Sequence, residues 1–203
     1  MPSTVGTIVI LGMLLLGGLL GCGGPPPPGP PPDMAAVEPT PPPRTPDHVL
    51  LKEGLQGREM SPGEVANLSD RLLGNGASTL QDQETMARLE LLLLKALKTG
   101  DKASRPTLWR NLGIIHYHQK KYKLARQELQ QSNELYPKSA RTHFYLARLF
   151  AHQGIIEESK GKKKVSKQQF KRAAIEMEQA RKLEPQNSLY RQDIRQIVQS
   201  EAQ

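Results

Sequence analysis

Apolar positions change their rhythm three times along the chain. Val5 to Leu20 (VGTIVILGMLLLGGLL) is almost unbroken apolar sequence, yet at about 16 residues it falls short of the ~20 that a spanning helix needs. Gly6, Gly12, Gly17 and Gly18 weaken it further as a membrane helix. A short apolar run closing on small residues predicts a secretory signal over 1–21, with an uncleaved anchor helix as the alternative. The next stretch, 22–46, holds 12 of the 17 prolines, from Pro25 to Pro46. Proline lacks the amide N–H that helices and sheet ladders require, so this segment predicts a polyproline II tether of up to roughly 68 Å. A ligand for a proline-recognising domain would want more flanking basic residues than Arg44.

From Asp47 onward the period becomes helical. Ser61-Pro62-Gly63-Glu64 has the form of a capping box with proline at the first helical position, predicting a helix to Leu73 that Gly74-Asn75-Gly76 ends. Ser78 and Gln81 open a second, with Leu80, Met86, Leu89, Leu93 and Leu97 on one stripe until Gly100. The run Leu91 to Leu94 makes that helix apolar on more than one side and predicts that it is sandwiched. Residues 47–104 thus form a helical N-terminal part, a degenerate repeat.

Beyond residue 104 the chain repeats itself. A shift of 34 lays Leu112 on Leu146, Gly113 on Ala147 and His118-Gln119 on His152-Gln153. A shift of 48 lays Tyr122 on Phe170, Ala125 on Ala173, Leu135 on Leu183 and Pro137 on Pro185. Trp109, Leu112, Gly113, Ala125 and Pro137, with Ala147, Ala173 and Pro185 in the second copy, stand at the spacing of a tetratricopeptide repeat, and the chain resembles that family over 105–139 and 140–186. The resemblance implies an all-α solenoid of helix-turn-helix units. Gly113 and its partners are small where paired helices approach closely, and the prolines stop the second helix of each unit. The difference between the two shifts places a 14-residue insertion at 155–168 in the turn of the second unit. Residues 187–203, with Tyr190, Ile194, Ile197 and Val198, predict an amphipathic helix from Asn187 to Glu201 that covers the last apolar face.

The family resemblance also implies a concave groove built by the first helices of each unit. By position it puts Arg110, Ile114, Tyr117, His118, Arg141, Phe144, Arg148 and His152 there. Three arginines among aromatic rings suit an extended peptide bearing carboxylates. The alternative is that this face packs against the chain's own flanking helices.

Composition narrows the chemistry. The chain has nine aromatic residues and a single cysteine, so the core is aliphatic and no disulfide framework or multi-cysteine metal site exists. The five histidines lack the i,i+4 spacing of a helical metal site, since His116 and His118 stand two apart. With no nucleophile elbow, P-loop or paired carboxylates, the expectation is a non-enzyme without cofactor or metal. The net charge of +8 is divided as −3 over residues 1–100 and +11 over 101–203. Lys160, Lys162, Lys163, Lys164 and Lys167 crowd the insertion, either as a solvated loop or as a contact for anionic lipid or wall polymer.

The one cysteine closes the apolar run as Leu19-Leu20-Gly21-Cys22, which resembles the lipobox of bacterial lipoproteins. That resemblance implies acylation of Cys22, cleavage before it, and attachment to the membrane. Gly23 after the cysteine, in place of the aspartate that resembles an inner-membrane retention signal, implies the outer membrane of a diderm cell, with the body facing the periplasm. Nucleic acid is not an expected partner there. The expected role is an adaptor binding an envelope protein through its groove, as in pilus or secretin biogenesis. The alternative is a regulator of a peptidoglycan synthase reached through the wall on the proline tether.

Overall fold

The structure, a computed structural model, describes residues 45–74, 77–99 and 101–201; Cys22, the apolar run and the proline tether lie outside them. Among the described residues every regular element is helical and no strand occurs. The α-helices are α1 (Asp47–Leu55), α2 (Pro62–Leu72), α3 (Gln83–Leu97), α4 (Arg105–His118), α5 (Tyr122–Leu135), α6 (Ala140–Ser159), α7 (Lys163–Leu183) and α8 (Ile194–Ser200), with 3-10 turns at Ser78–Gln81 and Ser188–Arg191. The pairs α2/α3, α4/α5 and α6/α7 stack as a tetratricopeptide-type solenoid, with α1 against α2 and α3, and α8 over α6 and α7.

Local chemistry sets these boundaries. Ser61 Oγ accepts from the Glu64 amide while Glu64 Oε2 accepts from the Ser61 amide at 2.8 Å, completing the expected capping box. The second predicted helix starts five residues later than expected. Ser78–Gln81 forms a 3-10 turn, and Asp82 caps α3 by accepting from the amides of Glu84 and Thr85 at 3.0 and 3.2 Å. The helix packs against α1, α2 and α4, as its apolar sides lead one to expect, although only two of the four consecutive leucines face inward. Leu92 and Leu93 are buried, whereas Leu91 is 62% and Leu94 39% exposed. The short helix α1 has no marker of its own in the sequence pattern. It is held by Leu51, buried in the core, and by Asp47, whose carboxylate accepts from Arg71 at 2.7 and 2.9 Å.

The small residues expected at the helix contacts are all fully buried: Gly113, Ala125, Ala147 and Ala173. A Cβ built on Gly113 would lie 2.7 Å from Leu129 Cγ and 3.2 Å from the carbonyl oxygen of Ala125. Trp109 is half-buried on the rim of the core, and Leu112 lies within it. Pro137 and Pro185 follow the ends of α5 and α7, and each lends its carbonyl to a side-chain donor further along the chain. Pro137 accepts from His143 Nε2 at 2.8 Å and Pro185 from Arg191 at 2.6 Å.

The expected loop at 155–168 is not a loop. Ile155–Ser159 continue α6, Lys163–Gln168 begin α7, and only Lys160–Lys162 turn. The turns of the two units share one hydrogen-bond pattern. Lys120 and Lys121 donate to Tyr117 and His116 at 3.0 and 2.8 Å, and 41 residues later Gly161 and Lys162 donate to Glu158 and Glu157, both at 2.9 Å. This is the Schellman closure of a helix end, with one residue in the left-handed region. The inserted length is therefore shared, seven residues to each helix. Glycine fills the left-handed position in the second unit (Gly161, φ 72°) and lysine in the first (Lys120, φ 61°). An L side chain there costs roughly 1 kcal/mol. Gly161→Ala, which meets nothing within 4 Å, should lower stability by about that amount. Lys120→Gly should raise it by a few tenths to about 1 kcal/mol, and chemical denaturation of the two variants checks both signs.

The predicted closing helix is shorter than expected and divided. Asn187 caps the 3-10 turn, and Asp193 caps α8 by accepting from the Arg195 amide at 2.8 Å. Tyr190 is buried with its ring 5.2 Å from that of Phe144, and Val198 packs with Ala151 and Ala173. The covering role is carried by both pieces.

Candidate partner-binding face

The residues expected in the groove come together on one side of α4 and α6, but at different depths. Ile114 belongs to the core, with 0% exposure, and corrects the expectation that it is groove surface. Phe144 is buried too, with Tyr190 beside its ring, yet it lines the open part of the groove. Tyr117 and Arg148 are also buried, while Arg110, His118, Arg141 and His152 are partly open. No sequence signal separated the floor of the groove from its wall, because both lie on the same helical stripe.

Two acidic residues from the flanks enter this basic face. Asp70 of α2 accepts from Arg110 and, at 2.8 Å, from Asn111 Nδ2, with Arg141 3.7 Å away. Asn111 is fully buried and also donates to Ser69 Oγ at 2.7 Å, fixing α4 against α2. Glu201, just beyond α8, pairs with Arg148 and accepts from the Tyr117 hydroxyl at 2.8 Å. The flanking helices therefore occupy part of the face, as the alternative expectation held. A cavity of about 490 Å³ stays open between them, bounded by Leu80, Tyr117, His118, Tyr122, Tyr145 and Arg148.

The guanidinium of Arg148 sits over a cluster of rings, 4.4 Å from the centroid of Tyr117 and 4.6 Å from that of Tyr145. The rings offer their negative faces to a desolvated cation. Burial, aided by Arg148 and Arg141, pushes the His118 imidazole down to about 4. His118 therefore stands neutral in the cavity wall, its Nε2 3.1 Å from the Tyr145 hydroxyl. His152 lies 4.0 Å from Tyr122 centroid to centroid, and burial lowers its basicity too.

Two other histidines are ion clamps that sequence reasoning did not identify. His116 places Nδ1 2.6 Å from Glu128 and Nε2 3.2 Å from Glu90, joining α3, α4 and α5. His143 places Nδ1 2.6 Å from Glu176 and Nε2 2.8 Å from the Pro137 carbonyl. In each case both ring nitrogens face groups that only accept, so the ring holds both protons. Burial opposes the charge on His116, but Glu128 and Glu90 outweigh it and raise its basicity; Glu176 does the same for His143 against burial. The available signal was the absence of the tetratricopeptide aromatics at these positions.

These histidines set opposite pH slopes. His116 and His143, raised above the ordinary imidazole, stabilise fully below about pH 6.5 and lose that contribution as pH rises through their folded-state values. His118, depressed to about 4, stabilises above 6.5 and loses its contribution as pH falls, by on the order of 2 kcal/mol at pH 5. Melting temperature should therefore peak near pH 6 to 7. His118→Gln should remove most of the acid-side fall and His143→Gln part of the alkaline-side fall, both read from melts between pH 5 and 9.

The lysines of the insertion lie at the far end of the α6/α7 hairpin. Lys160 and Lys162 each stand 3.7 Å from Glu157, whose side chain also accepts from Gln153 at 2.6 Å. Lys163, Lys164 and Lys167 are exposed with no acidic partner among the described residues. Glu158 is taken by Arg195. No group of histidine, cysteine and carboxylate side chains among the described residues is placed to hold a metal ion, and no described helix is long and apolar enough to cross a membrane.

Comparison with known proteins agrees with the repeat. Residues 106–139 match the tetratricopeptide repeat family, which covers α4, α5 and the turn into α6. The chain is thus a tetratricopeptide-repeat-containing protein, and repeats of this kind typically serve as scaffolds for protein partners. No curated protein matches it.

Proposed function

We propose that this protein is a lipid-anchored adaptor that holds an envelope protein in the groove of its repeats. The observation that carries the adaptor reading is the open cavity on the inner face of α4 and α6, walled by Tyr117, Tyr122, Tyr145 and Arg148. A concave site with a buried arginine among rings has the composition of an interface centre. Leu19-Leu20-Gly21-Cys22 supports the anchor, with acyl chains on Cys22 as the attachment. The setting is the periplasmic side of the outer membrane in a diderm cell, and the assembly is of the pilus or secretin type.

The anchor is tested by Cys22→Ser, which should abolish fatty-acid labelling and release the protein from the membrane fraction. Labelling that persists would end this part of the reading. The partner is sought with a photo-crosslinking residue at His152, on the open rim, in intact cells. Crosslinks confined to an envelope protein are expected; none above an exposed-surface control such as Glu134 would count against the groove.

A second reading, a regulator of a peptidoglycan synthase, is favoured by the tether of up to roughly 68 Å, a reach that an adaptor beside its own membrane does not need. Halving Pro25 to Pro46 should abolish activity in the regulator and leave an adaptor working. At the tip of the α6/α7 hairpin, Lys163, Lys164 and Lys167 offer a contact for anionic lipid head groups or wall polymer.

A further inference from the structure

Arg148 is the least exposed arginine of the described body, with 6% of its side chain accessible. Its neutralising carboxylate comes from none of the helices that surround it. Glu201 reaches in from beyond α8, one oxygen meeting Nη2 of Arg148 and the other accepting from Tyr117. The Nε of Arg148 has no hydrogen-bond partner. Two turns earlier on the same face of α6, Arg141 has both Nε and Nη2 buried without a partner. Buried donors of a cation left unmade cost free energy that an incoming acceptor recovers.

We propose that the cavity reads carboxylates, and that Glu201 is a resident competitor which an acidic side chain of an extended partner peptide displaces from Arg148 and Tyr117. This rests on the reading of the groove as the partner surface and adds the chemistry of the partner and a built-in restraint on binding it. The restraint is a weak one by construction. The helix α8 has seven residues, fewer than an isolated helix needs, and it is held by Ile194, Ile197 and Val198 and by Arg195, which pairs with Glu158 and lies over the ring of Phe170.

The spacing of the two arginines specifies the ligand further. Seven residues of α6 separate Arg141 from Arg148, an axial rise of about 10 Å. Three residues of polyproline II chain make one full turn, rise about 9 Å and bring the side chain back to the same face. A peptide with acidic residues three apart would thus set one carboxylate on Arg148, in place of Glu201, and the next beside Arg141, whose Nη1 stands 3.7 Å from Asp70.

The test uses the full chain in detergent and a fluorescein-labelled peptide, Thr-Glu-Thr-Val-Glu-Thr, beside its counterpart with glutamine for glutamate. Glu201→Gln keeps the size of the side chain and removes the competing charge, and its helical fold is checked first by circular dichroism at the assay temperature. Fluorescence anisotropy should show the glutamate peptide binding Glu201→Gln about tenfold more tightly than the wild type, and the glutamine peptide binding neither. Adding Arg141→Gln to Glu201→Gln should reverse most of the gain. In the wild type, the glutamate peptide should also speed amide hydrogen exchange in α8. Equal affinity for wild type and Glu201→Gln, or no change in α8 exchange, would overturn the competitor and leave the groove standing. Binding to neither protein would overturn both.

Discussion

Gly113→Leu is expected to cost the folded body about 3 kcal/mol or more, because the helices α4 and α5 meet at this residue. The first carbon of any side chain would sit 2.7 Å from the branch carbon of Leu129 and 3.2 Å from the Ala125 carbonyl. Leu129 is fully buried and the carbonyl belongs to a helix ladder, so neither can step aside without moving the helix. Overpacking of this kind costs about 1–3 kcal/mol and more where backbone must shift. In a domain of this size, the melting temperature should fall by roughly 6–12 °C. The second unit shows what relief looks like. In register, Ala147 replaces Gly113 while Met177 replaces Leu129, an unbranched chain where the leucine forks. Leu129→Met should accordingly recover much of the loss in Gly113→Ala, a coupling that a double-mutant cycle measures directly. An unchanged melt in Gly113→Leu would mean that α4 and α5 are not in contact as described.

Deleting residues 155–168 is expected to leave a folded helical body that binds anionic vesicles less tightly than the intact hairpin does. The deletion joins His152-Gln153-Gly154 to Gln169-Phe170, in register with His118-Gln119-Lys120-Lys121-Tyr122. Gly154 then falls where Lys120 takes its left-handed conformation, so the shortened hairpin receives a glycine at the position that most favours one. The losses are the packing of Ile155 and the pair of Glu158 with Arg195, together about 1–2 kcal/mol by ordinary burial and exposed-pair values. Five lysines and two glutamates leave with the segment. At about 1 kcal/mol per basic residue near an anionic membrane, binding of residues 47–203 to anionic vesicles should weaken at least tenfold. The wild-type binding should itself fade with added salt. Equal binding before and after deletion would mean that the lysines only keep the hairpin solvated.

Legibility in the sequence followed the reach of each interaction. The solenoid was readable because its determinants are local or strictly periodic: the capping box at Ser61, the small residues at Gly113 and Ala125, the stops at Pro137 and Pro185. The helix α1 was not, since its partners are distant in sequence: the core that receives Leu51, and Arg71, 24 residues from Asp47. The insertion was measured correctly by the two repeat shifts but misplaced in kind. A difference of 14 residues has the same sum whether it loops out or divides evenly between two helices. Only the left-handed residue at Gly161, displaced by 41, distinguishes them. In the groove, the sequence supplied the arginines and rings but neither of their acidic counterparts. Asp70 and Glu201 come from elements outside the matched repeat, and no periodicity ties them to Arg110 or Arg148.

The seven residues added to each of α6 and α7 carry a rule for how such an arm can change length. Seven residues make just under two turns, so the added stretch leaves the helix face rotated by only ~20°. The seam of the hairpin thus continues into the extension, with Gly154 against the ring of Phe170 and with Glu157 and Ser166 buried beyond it. An increment of five would have swung that seam away by about 140°, exposing its apolar side to water. The hairpin is in this sense a telescoping prong with fixed stops. Its permitted lengths are spaced by whole heptads on both legs, and each step moves the lysine-bearing tip outward by about 10 Å without disturbing the repeat from which it grows.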